Sequence, residues 1–160
     1  MLFGGIDPGL SGALAFIKGD GTVLVYDMPT VSDGSRNYVD VRVLASLIQP
    51  FLDSGLYVLL EKSQPMPRDG SVGSFRYGES YGLLKATLML SKIPFQEVSA
   101  AAWRPKMVGR GDKDKSRMVA SQLFPLCASE LTRKKDHGRA EALLLAEFAR
   151  RTYNPAKKAS

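Results

Sequence analysis

Two apolar runs in the first half of this chain each end on a carboxylate. Residues 2–6 are followed by Asp7, and residues 57–60 are followed by Glu61. A carboxylate beside a hydrophobic core is costly unless it is paired or binds a cation. A third acidic segment, residues 136–142, opens an Ala- and Leu-rich pattern near the C-terminus. Segments this far apart can meet only through folding, and meeting would create the oxygen ligands that hard divalent cations prefer.

The spacing of apolar residues predicts strands and helices in alternation. Short strands are predicted over 2–6, 12–17 and 23–28, with Asp20-Gly21 as a hairpin turn. The fully apolar residues 57–60 are typical of a buried central strand. The other predicted elements are a helix from the N-cap Asp40, polar loops over 29–37 and 62–73, helices over 74–92 and 116–124, a strand over 95–98, a short helix after Ser99 that holds a core Trp103, a mobile polar segment over 109–117, a polar, basic stretch over 128–135, and a last helix over 137–153.

This order of elements predicts an α/β fold, with a mixed five-stranded sheet flanked by helices. It matches the ribonuclease H-like layout. The length predicts a single domain over residues 1–153 and a flexible tail over 154–160. The single cysteine, Cys127, suits a reducing compartment, and neither a signal peptide nor a membrane span is apparent. We therefore expect a cytoplasmic protein.

Positive charge is concentrated in the last third of the chain. The net charge is +6, yet residues 1–100 hold 8 Lys and Arg against 10 Asp and Glu, whereas residues 101–160 hold 14 against 6. Basic residues in such a region neutralise phosphates, so a polyanionic partner is expected. The alternative is a solvated surface, which the interleaved Asp112 and Asp114 favour. The candidate phosphate contacts are Lys106, Arg110, Lys113, Lys115, Arg117, Lys134, Lys135 and Arg139.

Each candidate site residue also has a structural interpretation. Asp7 could close a turn, and Glu61 could pair with the adjacent Lys62. His137 and Glu141 share one helical face at i, i+4 spacing, although a lone histidine is often structural. Asp136 lies where a helix N-cap would be.

Three segments resemble the RuvC-type Holliday junction resolvases, especially their phage and plastid branch. They are residues 5–9 (Gly-Ile-Asp-Pro-Gly) with Ser11-Gly12, the strand-end Glu61 followed by Gln64 and Met66-Pro67, and residues 136–143 (Asp-His-Gly-Arg-Ala-Glu-Ala-Leu). The resemblance implies a homodimeric endonuclease of DNA recombination and repair that nicks four-way junctions symmetrically, leaving 5′-phosphate and 3′-hydroxyl ends. It implies two Mg²⁺ ions, with Mn²⁺ able to substitute. The phage and plastid branch implies the cytoplasm of the host cell if a phage encodes the protein, with an organelle stroma as the alternative.

The ligand set that the resemblance implies is Asp7, Glu61, His137 and Glu141. The bacterial enzymes space their last two site residues three apart, whereas His137 and Glu141 are four apart. This departure leaves open whether His137 or Asp136 fills the penultimate position.

The loop after Glu61 is expected to border the scissile phosphate. Gln64 is a candidate to read a base edge, and Arg76 a candidate DNA contact. Phe75 or Tyr77 could stack on bases at an opened junction, or both could belong to a helix core. Residues 74–92 are the candidate dimer helix. Two alternative functions remain: a nuclease of the same fold acting on forks, flaps or RNA, and a junction-binding module without catalysis.

Overall fold

The computed structural model describes residues 1–62, 64, 70–109 and 113–154. Two predicted phosphate contacts, Arg110 and the side chain of Lys113, lie outside the described part. Met66-Pro67 of the predicted loop and residues 155–160 of the predicted tail also lie outside it.

The described part of the chain forms the strands β1 (Leu2–Asp7), β2 (Ala13–Ile17), β3 (Val23–Asp27), β4 (Thr30–Ser32), β5 (Asn37–Val39), β6 (Leu56–Glu61) and β7 (Phe95–Val98). Five of these strands form a mixed sheet in the order β3-β2-β1-β6-β7. The first three make an antiparallel meander, and β6 and then β7 add to β1 in parallel. A separate two-stranded hairpin consists of β4 and β5.

Helices cover both faces of the sheet and divide the core in two. The last helix packs across β1, β2 and β6 on one face, and its residues from Ala140 to Ala149 are all buried. The first two helices bury Leu44, Ile48, Leu84 and Leu88 against the other face. The helices are α1 (Val41–Ile48), α2 (Gly70–Leu90), α3 (Ala100–Met107), α4 (Lys113–Leu123) and α5 (His137–Thr152), with 3₁₀ turns at Gln49–Ser54, Pro125–Leu131 and Lys134–Asp136.

Two glycines let the backbone of α5 pack directly against the backbone of β1 and of the turn that follows it. A Cβ on Gly5 of β1 would lie 2.2 Å from the Ala142 carbonyl oxygen, and one on Gly138 would lie 2.5 Å from the Ser11 carbonyl oxygen. Both distances are far below van der Waals contact, so a side chain at either position would push α5 outward. The glycines thereby fix the depth at which the start of α5 sits over the end of β1.

The predicted loop over 29–37 was wrong in part, because β4 and β5 form a hairpin there. Its turn is closed by Asp33, whose carboxylate accepts hydrogen bonds from the Ser35 hydroxyl and from the backbone N–H groups of Ser35 and Arg36. These bonds lower the pKa of Asp33 to about 2. Arg36 then forms a bidentate ion pair with Glu79, at 2.6 and 3.1 Å, which ties the hairpin to α2. The tertiary contact thus stabilises strands of only three residues.

Several predicted helix boundaries and loops also differ from the structure. Helix α2 starts at Gly70 instead of 74, and α4 starts at Lys113 within the segment predicted to be mobile. Part of the polar stretch over 128–135 forms 3₁₀ turns. No helix in the described part of the chain is both long and apolar enough to span a bilayer.

Candidate metal centre

Three carboxylates converge at one end of the sheet. Asp7, Glu61 and Glu141 each bring an oxygen to within 4.8 Å of the other two. Asp7 and Glu61 end neighbouring parallel strands whose preceding residues, Ile6 and Leu60, are paired in register. Because the carboxyl ends of parallel strands lie at the same edge of a sheet, the backbone alone places these two side chains together.

The third carboxylate comes from α5. Glu141 lies one turn into the helix and is only 6% exposed. Its neighbour Ala142 contacts the backbone of Gly5, so the close approach of α5 to β1 brings Glu141 to the strand ends. A nearly buried carboxylate needs compensating charge or hydrogen bonds.

That compensation comes from α3 and α4. The indole Nε1 of Trp103 donates a hydrogen bond to Oε2 of Glu61 at 2.8 Å. Arg104 forms an ion pair with Glu141, and the hydroxyl of the fully buried Ser116 donates to the same Glu141 oxygen at 3.1 Å. The prediction that Trp103 is a core residue is confirmed by its 0% exposure.

Sequence reasoning missed the polar roles of these three residues. One signal was available, because a buried tryptophan N–H usually finds a hydrogen-bond acceptor. The sequence position of Trp103 does not reveal that the acceptor is Glu61, which lies 42 residues away. Arg104 and Ser116 carried no such signal.

His137 and Asp136 lie next to the three-carboxylate cluster but differ in their contacts. His137 Nε2 is 3.8 Å from Glu141 Oε2, and the histidine side chain is 20% exposed. Asp136 is buried, and its carboxylate accepts hydrogen bonds from the backbone N–H and the guanidinium of Arg133. The Arg133 guanidinium lowers the pKa of Asp136. Asp136 thus forms a capping box with Arg133 at the 3₁₀ turn before α5, whereas His137 lies beside Glu141 of the cluster.

The chemistry of the donor set fits a hard divalent cation. The three residues with converging ligand atoms are all carboxylates, and oxygen ligands of this charge suit Mg²⁺ or Mn²⁺. His137 adds a nitrogen near the edge of the group. The fold therefore supplies a place where a divalent cation would offset the mutual repulsion of the carboxylates.

The predicted phosphate contacts near α5 divide into exposed and paired side chains. Lys134 and Lys135 are exposed in the 3₁₀ turn that precedes His137. Arg139 instead forms a bidentate ion pair with Asp27, at 2.6 and 2.7 Å, which lowers the pKa of that carboxyl.

The basic residues of α3 and α4 divide in the same way. Arg117 donates to Asp114 and to the Thr132 carbonyl oxygen, so it connects α4 to the following segment. Lys106 is exposed, with its ammonium 5.6 Å from the centre of the Phe148 ring. Lys115 is half-buried beside Gly109.

The candidate base-reading residues lie on and before α2. Gln64 and Arg76 are exposed, and Phe75 is 73% exposed. Tyr77 is half-buried and lines a cleft of about 450 Å³ with Gly9, which follows Asp7 by two residues. Arg76 also lines this cleft, as does Arg36, whose charge is offset by its ion pair with Glu79.

The mixed sheet carries this acidic cluster at one end, and comparison with known proteins shows what the chain is similar to. No model of a known protein family matches the chain. The curated Holliday junction resolvase MOC1, chloroplastic, of Chlamydomonas reinhardtii is 29% identical over 120 residues. The match covers 72% of this chain but only 14% of the relative, so this chain corresponds to a small part of that protein.

Solved structures of RuvC from Thermus thermophilus match nearly the whole chain. The RuvC structure superposes with a TM-score of 0.62 at 16% identity, covering 94% of this chain and 96% of that one. RuvC in complex with a Holliday junction substrate gives a TM-score of 0.64 at 14% identity, covering 94% and 95%. The chain has the RuvC fold, and both the predicted fold class and the predicted resemblance to RuvC-type resolvases are confirmed.

Proposed function

We propose that the chain is a metal-dependent endonuclease that resolves four-way DNA junctions by symmetrical paired nicks, leaving 5′-phosphate and 3′-hydroxyl ends. The observation that carries this proposal is the convergence of Asp7, Glu61 and Glu141 on a RuvC fold. The name of the curated relative and the junction bound to RuvC support the choice of substrate.

Asp7, Glu61 and Glu141, with His137 beside them, would hold the metal, which we propose is two Mg²⁺ ions replaceable by Mn²⁺. Bound metal would supply an activated water and stabilise charge on the leaving 3′ oxygen. Asp7 and Glu61 stand on paired strands, so they need little reorganisation to receive a cation. Nε2 of His137 lies 3.8 Å from Glu141 and is placed to take up or release a proton at the rim of the site.

The DNA would approach across the exposed groups around the cluster. Lys134 and Lys135 lie just before α5 and would contact phosphates beside the metal. Phe75 on α2 is exposed and is suited to stack on an unpaired base. The cleft beside Gly9, with Arg76 in its wall, would admit the strand next to the scissile phosphate.

A symmetrical pair of nicks requires two sites, and we propose a homodimer through α2. In the middle of this helix, added Cβ atoms on Gly78 and Gly82 would meet open space. Near its end, Met89 and Leu90 are 65% and 84% exposed. Exposed apolar side chains with small residues on one helix favour packing against a two-fold mate. Replacing Leu90 with Glu should convert a dimer to a monomer in light scattering, whereas a monomeric wild type would refute the interface.

We further propose that residues 1–153 act as one nuclease domain in a reducing compartment. Cys127 is buried, and burial raises the pKa of its thiol, which makes the group unreactive. The curated relative is chloroplastic, so cell fractionation should compare the cytoplasm with the organelle stroma.

The proposal is tested with a labelled synthetic four-way junction incubated with Mg²⁺, with Mn²⁺ and with EDTA. We expect metal-dependent paired nicks that ligase can reseal, and loss of cleavage with retained binding in Asp7→Asn. Parallel forks, flaps and RNA hybrids test the alternative nuclease functions. Tight junction binding without cleavage in either metal would favour the binding module, and cleavage by Asp7→Asn at the wild-type rate would refute the proposed site.

A further inference from the structure

Two consecutive residues of α3 reach two different carboxylates of the candidate metal centre. Trp103 donates to Glu61 at 2.8 Å, and Arg104 forms the ion pair with Glu141. A guanidinium nitrogen of Arg104 also lies 3.4 Å from the hydroxyl oxygen of Ser116, which itself donates to Glu141. One short helix therefore contacts both the strand-borne and the helix-borne parts of the site.

We propose that α3 is a clamp on the metal centre, in which Trp103 orients Glu61 for the cation and Arg104 is a counter-ion of Glu141 that the cation displaces. The clamp rests on the metal site of the proposed function. It adds two positioning residues and assigns them opposite effects on metal affinity.

Trp103 is suited to orientation because it is itself immobile. Its ring is 0% exposed and packs in the core beneath α5, so its N–H direction is fixed by packing. A hydrogen bond from a fixed donor restricts the rotation of the Glu61 carboxylate. Removing such a contact to a metal-binding group typically weakens metal affinity by about 10–100-fold.

Arg104 is suited to be displaced by a cation because its side chain is less buried than that of Trp103. Three carboxylates within 4.8 Å repel one another, and Glu141 has a side chain only 7% exposed. The positive charge of Arg104 relieves this repulsion, but its own side chain is 27% exposed and has a route to solvent. A divalent cation and a guanidinium compete for the same carboxylate, so cation binding requires Arg104 to move away or to remain at an electrostatic cost.

The first test replaces Arg104 with Gln and compares it with Lys106→Gln. Both variants remove one positive charge from α3, but the Lys106 ammonium lies over the Phe148 ring instead of Glu141. We expect Arg104→Gln to melt at a lower temperature without metal, and to bind Mn²⁺ on the order of tenfold more tightly by calorimetry. Lys106→Gln should leave Mn²⁺ affinity unchanged, because the contact it loses is with the Phe148 ring and not with a carboxylate of the metal centre. A structural role alone would weaken both stability and Mn²⁺ binding, and that result would refute the counter-ion.

The second test replaces Trp103 with Phe and compares it with Tyr57→Phe. Tyr57→Phe also removes one ring-borne donor, the hydroxyl that bonds Gln96 at 3.0 Å, but far from the three carboxylates. We expect Trp103→Phe to weaken Mn²⁺ binding by about 10–100-fold and Tyr57→Phe to leave it unchanged. Equal affinities in the two variants would refute the orienting role.

The chain has one tryptophan, so the fluorescence of the wild type reports directly on this contact. Because Glu61 is its hydrogen-bond acceptor, Mn²⁺ should change the emission with the same midpoint as the calorimetric titration, and Arg104→Gln should shift that midpoint to lower concentration. A midpoint unmoved by Arg104→Gln would refute the clamp even if Trp103→Phe failed to fold. Absence of any Mn²⁺ binding to the wild type would refute the metal site itself, whereas normal binding with unaffected variants would refute only the clamp.

Discussion

Replacing Gly5 with Ala tests whether backbone contact between β1 and α5 sets the geometry of the metal centre. The new Cβ would lie 2.2 Å from the Ala142 carbonyl oxygen and 2.4 Å from the Ala146 nitrogen, so reaching even 3.0 Å requires α5 to shift by about 0.8 Å. Overpacking of this kind costs about 1–3 kcal/mol, and the upper end applies because both neighbours are backbone atoms. For a chain of this length that corresponds to a melting temperature lower by roughly 10 °C.

The same shift would carry Glu141 away from Asp7. Misplacement of a catalytic group by about 1 Å can cost on the order of 100-fold in rate, so we expect Gly5→Ala to lose both Mn²⁺ affinity and junction cleavage. The control is Gly4→Ala on the same strand, whose Cβ would meet the Val58 methyl at 2.9 Å on the opposite face, where side chains can adjust. It should lose some stability but keep metal affinity. Equal loss of metal affinity in the two variants, or normal cleavage by Gly5→Ala, would refute the reasoning.

Three further substitutions separate structural residues from DNA contacts. Asp136→Asn should lower the stability at neutral pH by about 1–3 kcal/mol. The pKa of Asp136 in the folded protein is lowered from 3.8, so its carboxylate stabilises the fold above pH 3.8 and this stabilisation is lost as the pH falls through the folded pKa. The variant should therefore lose less stability in acid than the wild type does, measured by urea unfolding from pH 7 to pH 2. Lys134→Ala with Lys135→Ala should weaken junction binding for all sequences and reduce the slope of log affinity against log salt by roughly two, and an unchanged slope would exclude phosphate contact. Arg139→Ala should lower the melting temperature through the lost Asp27 ion pair while leaving that slope unchanged, and a reduced slope would instead restore Arg139 as a DNA contact.

The sheet and the two strand-borne carboxylates were predictable because the signals are local. An apolar run that ends on Asp7 or Glu61 indicates a strand and the position of its end, and parallel neighbours share an edge. The last helix was predictable from its Ala- and Leu-rich pattern. Its depth against the sheet was not, because the requirement for glycine at positions 5 and 138 appears only when the facing backbone is known.

The partners of the carboxylates could not be predicted for the same reason. In the sequence, Trp103 looks like an ordinary core residue of a short helix. Its hydrogen bond to Glu61 joins positions that are 42 residues apart, so no local pattern indicates it. Arg139 gives the opposite case. A basic residue between His137 and Glu141 indicates a phosphate contact, yet its pairing partner Asp27 lies 112 positions away in sequence. Charge in a sequence therefore identifies an electropositive region better than it identifies the residues that are available for binding.

Geometry and charge at the candidate metal centre are set by different parts of the chain. Paired strands and the glycine contact at Gly5 fix where Asp7, Glu61 and Glu141 lie, so changes there should impair stability and metal binding together. Arg104 offsets the negative charge of the same carboxylates without fixing the backbone that carries them. Its removal should therefore lower the stability of the metal-free protein and raise its affinity for metal. The two classes of variant predict opposite correlations between melting temperature and Mn²⁺ affinity. A single correlation across both classes would mean that the carboxylates are held only by general packing.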